Sequence, residues 1–340
     1  MRRILGFFLA MSLLLCGCTT LEPQEKQYTA TFLDLFDTVT TVVGFAESEE
    51  AFREQAQKIH DELLAYHRLF DIYNEYEGIS NLKTINDRAG VSSVTVDGAI
   101  IELLLDCRNY CNITGGRVNA AMGGVLKLWH DAREDGIRDP INASLPDMDA
   151  LREAAAHMDF ESIVIDEAAS TVYISDAKTR LDVGAIAKGW ATQKVAETVP
   201  EGMLISVGGN VCATGPKKTD GTPWIIGIQN PDGSGDNVHT VYVTGGSVVT
   251  SGDYQRTFAV NGEEYHHIID PGTMMPANLW RSVTIVCADS GLADALSTAL
   301  FLLPLEEGKA LAEKCGAEAF WIAVDGTEYM TEGFRQIIRT

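Results

Sequence analysis

Apolar positions recur along this chain at two spacings. Between residues 48 and 69, Phe52, Ala56, Ile59, Leu63 and Leu64 fall on one face of a helix. Further helices are predicted over about 97–113, stopping at Gly115-Gly116, and over about 147–157. Residues 29–43 read as a strand, Asp71–Asn86 as a loop, and 130–146, with Pro140 and Pro146, as a polar surface excursion. From residue 160 onward short β-like runs dominate, at 162–166, 171–174, 203–207, 223–229, 240–250, 256–260, 264–269, 282–287 and 319–324. Asn261-Gly262 marks a hairpin between two of them, and helices interrupt at about 185–198, 291–303 and 305–314. Strand-rich segments joined by hairpins, with a few helices, predict an α+β fold: one compact domain over 29–340 with a mostly antiparallel sheet and several flanking helices.

The N-terminus differs in kind. Arg2 and Arg3 precede an apolar run, Ile4–Leu15, that is too short to span a bilayer and reads as a signal peptide. It ends in Leu15-Cys16-Gly17-Cys18, and a small residue before a cysteine resembles a bacterial lipobox. The expectation is a signal peptide over 1–17, a lipid on Cys18, a polar tether over 18–28 containing Pro23, and then the domain. An ordinary signal peptide that happens to contain cysteine is the alternative. A lipid anchor implies an extracytoplasmic protein held at a bacterial membrane.

Charge narrows the partners. A net charge of −22 and a pI near 4.6 lack the basic footprint of nucleic-acid binding and disfavour docking on anionic lipid. Of the seven cysteines, Cys107, Cys111, Cys212, Cys287 and Cys315 lie in the domain. Their spacing matches no zinc framework, and core packing is expected for Cys107 and Cys111.

Five segments carry candidate chemistry. In GLADALSTAL, Gly291–Leu300, helical spacing stacks Asp294 and Thr298 one turn apart, two hard oxygen donors of the kind Mg²⁺ selects. LDVGAIAKGW, Leu181–Trp190, runs from a strand into a helix, whose first turn favours an anion, with Lys188 adding charge; a plain strand–helix turn is the alternative. SVGGN, Ser206–Asn210, lets a ligand approach backbone, or is simply a tight turn. TSGDYQR, Thr250–Arg256, offers hydroxyls and an arginine able to reach phosphate, or is a β-turn with a surface arginine. In YHHIIDP, Tyr265–Pro271, strand geometry puts His266 and His267 on opposite sides, so that one faces the site, where a histidine of near-neutral pKa accepts a proton, and the other solvent; strand histidines bonded to backbone are the alternative.

The ordered motifs D-x-G-x-x-x-K-G, S-V-G-G-N, T-S-G-x-Y-x-R, H-I-I-D-P and A-D-A-x-x-T resemble those of the ApbE family, the FAD:protein FMN transferases. Phe36–Thr38, Ser80–Asn86 and Thr114–Asn119 fall in the same family order, so the resemblance spans nearly the whole mature chain. It implies that Asp294 and Thr298 hold Mg²⁺ by side chain and Ala185 by its carbonyl. It implies that Lys188 contacts FAD, that Phe36, Asn81, Leu82, Lys83, Asn119 and Ile269 line the flavin and adenosine pockets, and that His267 lies near the transfer site. Two departures stand out. Asn119-Ala120-Ala121 replaces the family's usual Asp-Pro-Thr, exchanging an acceptor for an amide that also donates. Met274 follows Thr273 where a glycine is usual.

The resemblance therefore implies Mg-dependent transfer of FMN from FAD to a threonine hydroxyl of a target flavoprotein, extracytoplasmic or a membrane redox subunit, with release of AMP. A metal-dependent FAD pyrophosphatase and a non-catalytic flavin-binding lipoprotein are the rival expectations.

Overall fold

The computed structural model describes residues 25–218 and 220–339. The signal peptide and the lipidated Cys18 lie outside the described residues. The chain opens with a hairpin, β1 (Lys26–Leu35) and β2 (Thr38–Ala46), so residues 26–28, expected in the tether, already belong to the sheet. The single strand expected over 29–43 is broken at Phe36 and Asp37, which both have φ of 52°. Two successive left-handed residues make the tight turn whose twist suits a hairpin.

Helix α1 (Glu49–Phe70) follows, capped by Ser48 and packed through Phe52, Ala56, Ile59 and Leu63. Next come α2 (Leu82–Asp87), β3 (Val94–Thr95), α3 (Gly98–Ile113), α4 (Gly123–Arg138) and α5 (Met148–Ala155). Two of these correct the sequence reading. The end of the expected loop over 71–86 is a short helix, because Asn81 caps it reciprocally with Thr84. The expected excursion over 130–146 is helical to Arg138, because Val125, Trp129 and Gly136 form a buried stripe on α4.

The rest of the chain builds the sheets: β4 (Ile163–Asp166), β5 (Thr171–Ile174), α6 (Ala187–Thr198), β6 (Leu204–Val207), β7 (Asn210–Ala213), β8 (Trp224–Gln229), β9 (Asn237–Val243), β10 (Gly246–Gly252), β11 (Phe258–Val260), β12 (Glu263–Tyr265), β13 (Trp280–Cys287), α7 (Ser290–Phe301), α8 (Leu305–Lys314), β14 (Glu318–Ala323), β15 (Glu328–Met330), α9 (Glu332–Ile337) and β16 (Ile338–Arg339). The run expected as one strand over 240–250 is two, separated by a turn before Gly246, whose φ is +84°.

The main sheet has eight strands in the order β1-β2-β6-β7-β10-β13-β14-β15, and every neighbouring pair is antiparallel. Helices α1, α3, α6 and α7 cover one face through a core that includes Leu63, Leu104, Trp190, Ile285 and Leu296. The β8–β9 pair and Phe334 of α9 cover the other around Trp224, Val241 and Phe320. A third cluster joins α4, α5, β11 and Ile269 around Trp129, Leu151 and Phe258. Mixed helices and an antiparallel sheet confirm the expected α+β class. The five domain cysteines are unpaired thiols. No helix among the described residues is long and apolar enough to cross a membrane.

Helices α6 and α7 meet closely at Gly189. A Cβ at Gly189 would lie 2.3 Å from the Ser290 carbonyl oxygen and 2.5 Å from Asp294 Cβ. Gly189→Ala adds about 1 kcal/mol of helix propensity, yet the overlap should dominate and destabilise the protein by about 1–3 kcal/mol. Guanidinium unfolding measures the difference, and a variant as stable as the parent would show that the helices part freely.

Candidate active site

Helix α7 is buried on nearly every side, and Asp294 is its one carboxylate, only 4% exposed. Helix α6 has no side-chain cap of its own, so its first-turn N–H groups need acceptors from elsewhere. Asp294 supplies one: Gly189 N–H donates to its Oδ2 at 2.9 Å. The carboxylate of one helix thus closes the N-terminus of the next, where partial positive charge favours it. Gly189 N–H is the donor that a continued helical turn would aim at the Ala185 carbonyl, which this arrangement leaves available. Lys188 Nζ lies 3.8 Å from Asp294 Oδ2 and donates to the Gly184 carbonyl at 3.3 Å. The first turn of α6, expected to receive a ligand anion, therefore already receives a protein carboxylate.

Around this joint opens a cavity of about 280 Å³. Asp294, Thr298, Ala185, Lys188, Asn119, Ile269 and His267 all line it, so most of the sequence-predicted residues converge. Four others lie outside its lining. Asn81 is fully buried, donating to the Asn74 and Arg68 carbonyls. Leu82 is in the core, and Lys83 pairs with Asp87 and Glu75. Phe36 stands at the β1–β2 turn with its N–H donated to His67 Nδ1 at 3.0 Å, while the next two residues, Asp37 and Thr38, reach the cavity. The turn is held close because Gly208 N–H donates to the Val39 carbonyl and a Cβ on Gly208 would meet Thr38 Oγ1 at 2.6 Å.

The histidines depart from expectation. Strand β12 ends at Tyr265, so strict alternation does not apply, and His266 and His267 both line the cavity. His266 is bonded at both nitrogens: Nε2 donates to the Ala277 carbonyl at 2.7 Å and Nδ1 accepts from Ile268 N–H at 3.1 Å. His267 Nδ1 lies 3.1 Å from the Gln255 carbonyl, which accepts its proton and leaves Nε2 with a free lone pair. Its pKa is not near neutrality. Burial first, then the nearby Arg256 and His266, push it down to about 3.

The two departures from the family pattern are absorbed locally. Asn119 Nδ2 donates to the Met158 carbonyl at 2.8 Å, a bond no carboxylate could make, and its Oδ1 accepts from Ala121 N–H. Met274 takes the left-handed conformation, φ 60°, that a glycine would favour, and the turn closes with Met274 N–H donating to the Asp270 carbonyl.

Several lining residues had no role in the sequence reading. Asp182 faces the cavity, and burial raises its pKa. Tyr73, His130 and Arg133 form a rim in which the Tyr73 and His130 rings lie 5.0 Å apart and Arg133 contacts His130 Nδ1 at 3.3 Å. The 125, 129, 132, 136 spacing in α4 was the signal that could have placed His130 and Arg133 on a helix.

Burial likewise raises the pKa of Asp294, opposed by Lys188 and the Gly189 N–H. A buried carboxylate beside a hydroxyl and a free carbonyl fits a hard divalent cation that keeps most of its ligands as water or phosphate oxygen. Among the described residues no cluster of three or more His, Cys, Asp or Glu side chains could hold a metal.

Fold and cavity thus define an α+β protein with one cleft in which hard oxygens and cationic side chains converge. The sequence model of the ApbE family matches residues 36–321, and the chain belongs to that family. A Treponema pallidum relative named FAD:protein FMN transferase is 36% identical over 265 residues, 72% of this chain and 71% of the relative. A Klebsiella pneumoniae protein of the same name is 31% identical over 277 residues, 77% of this chain and 83% of its own. The crystal structure of the ApbE protein from Thermotoga maritima is similar with a TM-score of 0.82 at 28% identity, over 93% of this chain and 100% of that one. The flavin transferase ApbE of Vibrio cholerae shares the fold at a TM-score of 0.76 and 22% identity, over 92% and 99% of the two chains.

The depressed pKa of His267 has a consequence for stability. The unfolded chain takes up this proton near the ordinary value of 6.5 and the folded one only near 3. Stability present above pH 6.5 is therefore lost as pH falls toward 3. His267→Gln should lose less stability than the parent between those limits, measured by denaturant unfolding at a series of pH values; parallel curves would contradict the assignment.

Proposed function

We propose that this chain transfers FMN from FAD to a threonine hydroxyl of a target protein, with Mg²⁺ held at Asp294, Thr298 and the Ala185 carbonyl. The observation that carries the reading is the convergence of those three oxygens with Lys188 and His267 on one cavity, in a chain of the ApbE family. The cavity is at the small end of ligand sites, which suits the diphosphate of FAD, with the flavin and adenosine ends extending along its mouth.

The protein's own groups then have distinct tasks. Lys188 and Arg256 attract and orient the diphosphate. When bound, Mg²⁺ would neutralise charge on the phosphates and on the departing AMP. The acceptor hydroxyl oxygen bonds to the FMN phosphorus as the phosphorus–oxygen bond to AMP breaks, and its proton passes to His267 Nε2. An arriving diphosphate raises the proton affinity of His267, since a nearby negative charge favours the imidazolium. Positioning and electrostatics supply most of the acceleration in reactions of this class.

The lipobox-like Cys18 supports an anchor that holds the enzyme outside the cytoplasm, beside extracytoplasmic flavoproteins or membrane redox subunits.

Mass spectrometry of a threonine-bearing acceptor peptide, incubated with FAD and Mg²⁺, should show FMN bound to threonine and one AMP released per adduct. Release of FMN and AMP without adduct would make the protein a pyrophosphatase, and binding without turnover a flavin carrier. Asp294→Ala should lower transfer by about a hundredfold or more and leave circular dichroism unchanged. Normal turnover of that variant in the presence of a chelator would overturn the metal assignment.

A further inference from the structure

The β1–β2 turn carries Asp37 and Thr38 to the cavity in a geometry its residues do not favour. Phe36 and Asp37 both take the left-handed conformation, φ 52°, which bulky L residues rarely adopt. The ladder pairs Leu35 with Thr38 and leaves the Phe36 N–H outside it. That N–H donates instead to Nδ1 of His67, in the last turn of α1, at 3.0 Å, and the two rings meet edge to face with centroids 5.5 Å apart. Only a lone pair accepts an N–H, so Nδ1 carries no proton and Nε2 carries the one of the neutral ring. Nε2 lies 3.4 Å from Tyr76 Oη, at the long end of a hydrogen bond, and Tyr76 donates to Asp71 Oδ2 at 2.7 Å. Donors therefore point one way along the whole relay, from Phe36 to Asp71. Asp71 Oδ1 accepts the N–H groups of Tyr73 and Asn74, at 2.6 and 3.0 Å, and so folds the loop that brings Tyr73 to the cavity. The Asn81 amide, off the cavity itself, braces that loop at the Asn74 carbonyl, 2.8 Å away.

We infer that His67 is a positioning residue for the FAD site: as a neutral acceptor at Nδ1 it latches the β1–β2 turn, and through Tyr76 and Asp71 it ties that turn to the loop bearing Tyr73, so that two wall segments of the cavity keep a fixed spacing. This inference rests on the FAD reading above. His67 lies outside the cavity lining, so its influence passes through the backbone of the turn and the loop. The ordinary role of a histidine in the last turn of a helix is a cation facing the partial negative charge of that end. The Phe36 contact excludes that role, because an imidazolium has no lone pair to offer. A lysine or arginine at the same helix end could not serve either, since neither accepts a hydrogen bond.

The test uses the full chain with FAD as the probe in the presence of Mg²⁺, read by flavin fluorescence on titration, and hydrogen exchange of the Phe36 amide as the local signature. His67→Gln removes the acceptor at the Nδ1 position. Its Phe36 amide should exchange about tenfold faster, and FAD affinity should fall about three- to tenfold, the effect of one hydrogen bond. His67→Asn branches at Cγ and offers Oδ1 where Nδ1 stood, so it should keep the amide protected and FAD affinity within about twofold of the parent. Tyr76→Phe cuts the tie to Asp71 and should weaken FAD binding in the parent, yet change it less than about twofold in the His67→Gln background. FAD affinity unchanged in folded His67→Gln, with or without a lower thermal midpoint, would overturn the inference and leave the FAD reading intact. Equal losses in His67→Asn and His67→Gln would do the same. A parent that binds no FAD with Mg²⁺ would sink the FAD reading itself, and this inference with it. Should His67→Gln fail to fold, Tyr76→Phe is measured alone: faster Phe36 exchange with weaker FAD binding supports the latch, and unchanged FAD binding overturns it.

Discussion

A single carboxylate buried in an apolar helix governs the arrangement of this protein. Asp294 sits in α7, where an unpaired charge is disfavoured by burial. The surroundings answer that cost in specific ways. Gly189 gives up its side chain so that α6 can approach and offer its N–H, and Lys188 brings a cation to 3.8 Å. In the proposed reading a divalent ion bound there would hold the carboxylate in its charged form. Stability and chemistry thus meet in one contact between two helices.

The cavity beside this joint is assembled from segments distant in the chain. The β1–β2 turn, the residues before α4, the α6 entry, the β6–β7 turn and the segment after β12 all reach it. Each is held by local bonds that leave chosen atoms free. His267 is tied through Nδ1 and not Nε2, whereas His266, its neighbour, is bonded at both nitrogens. Two adjacent residues of one type therefore differ in whether a ring nitrogen is left free, and the difference is made by which backbone groups lie within reach.

Much of the fold was legible because periodicity reports burial directly. The spacing of Phe52, Ala56, Ile59 and Leu63 gave α1, and short β-branched runs gave most strands of the second half. The failures share a cause: local signals weaker than the tertiary contact that replaced them. Phe36-Asp37 turns without a glycine because β1 and β2 pair on either side of it. Helix α4 begins at Gly123-Gly124 with no side-chain cap and carries a polar outer face, so the packing of its Trp129 against Phe258 is what defines it. At the site, hydroxyl, carboxylate and lysine were visible as residue types. That Asn81, Leu82 and Lys83 lie off the cavity was not, because a capping box, core packing and an ion pair are settled by neighbours.

The sequence by itself determined the α+β class, the helix that stacks Asp294 above Thr298, and the ordered motifs that place the chain among the ApbE proteins, because these depend on residue type and short-range spacing. Tertiary structure alone decided that Asp294 caps α6, that His267 is held neutral, and that α4 supplies His130 and Arg133 to the rim. The physical reason is that charge state, hydrogen-bond choice and desolvation are properties of a neighbourhood, and residues far apart in the chain make that neighbourhood only after it folds.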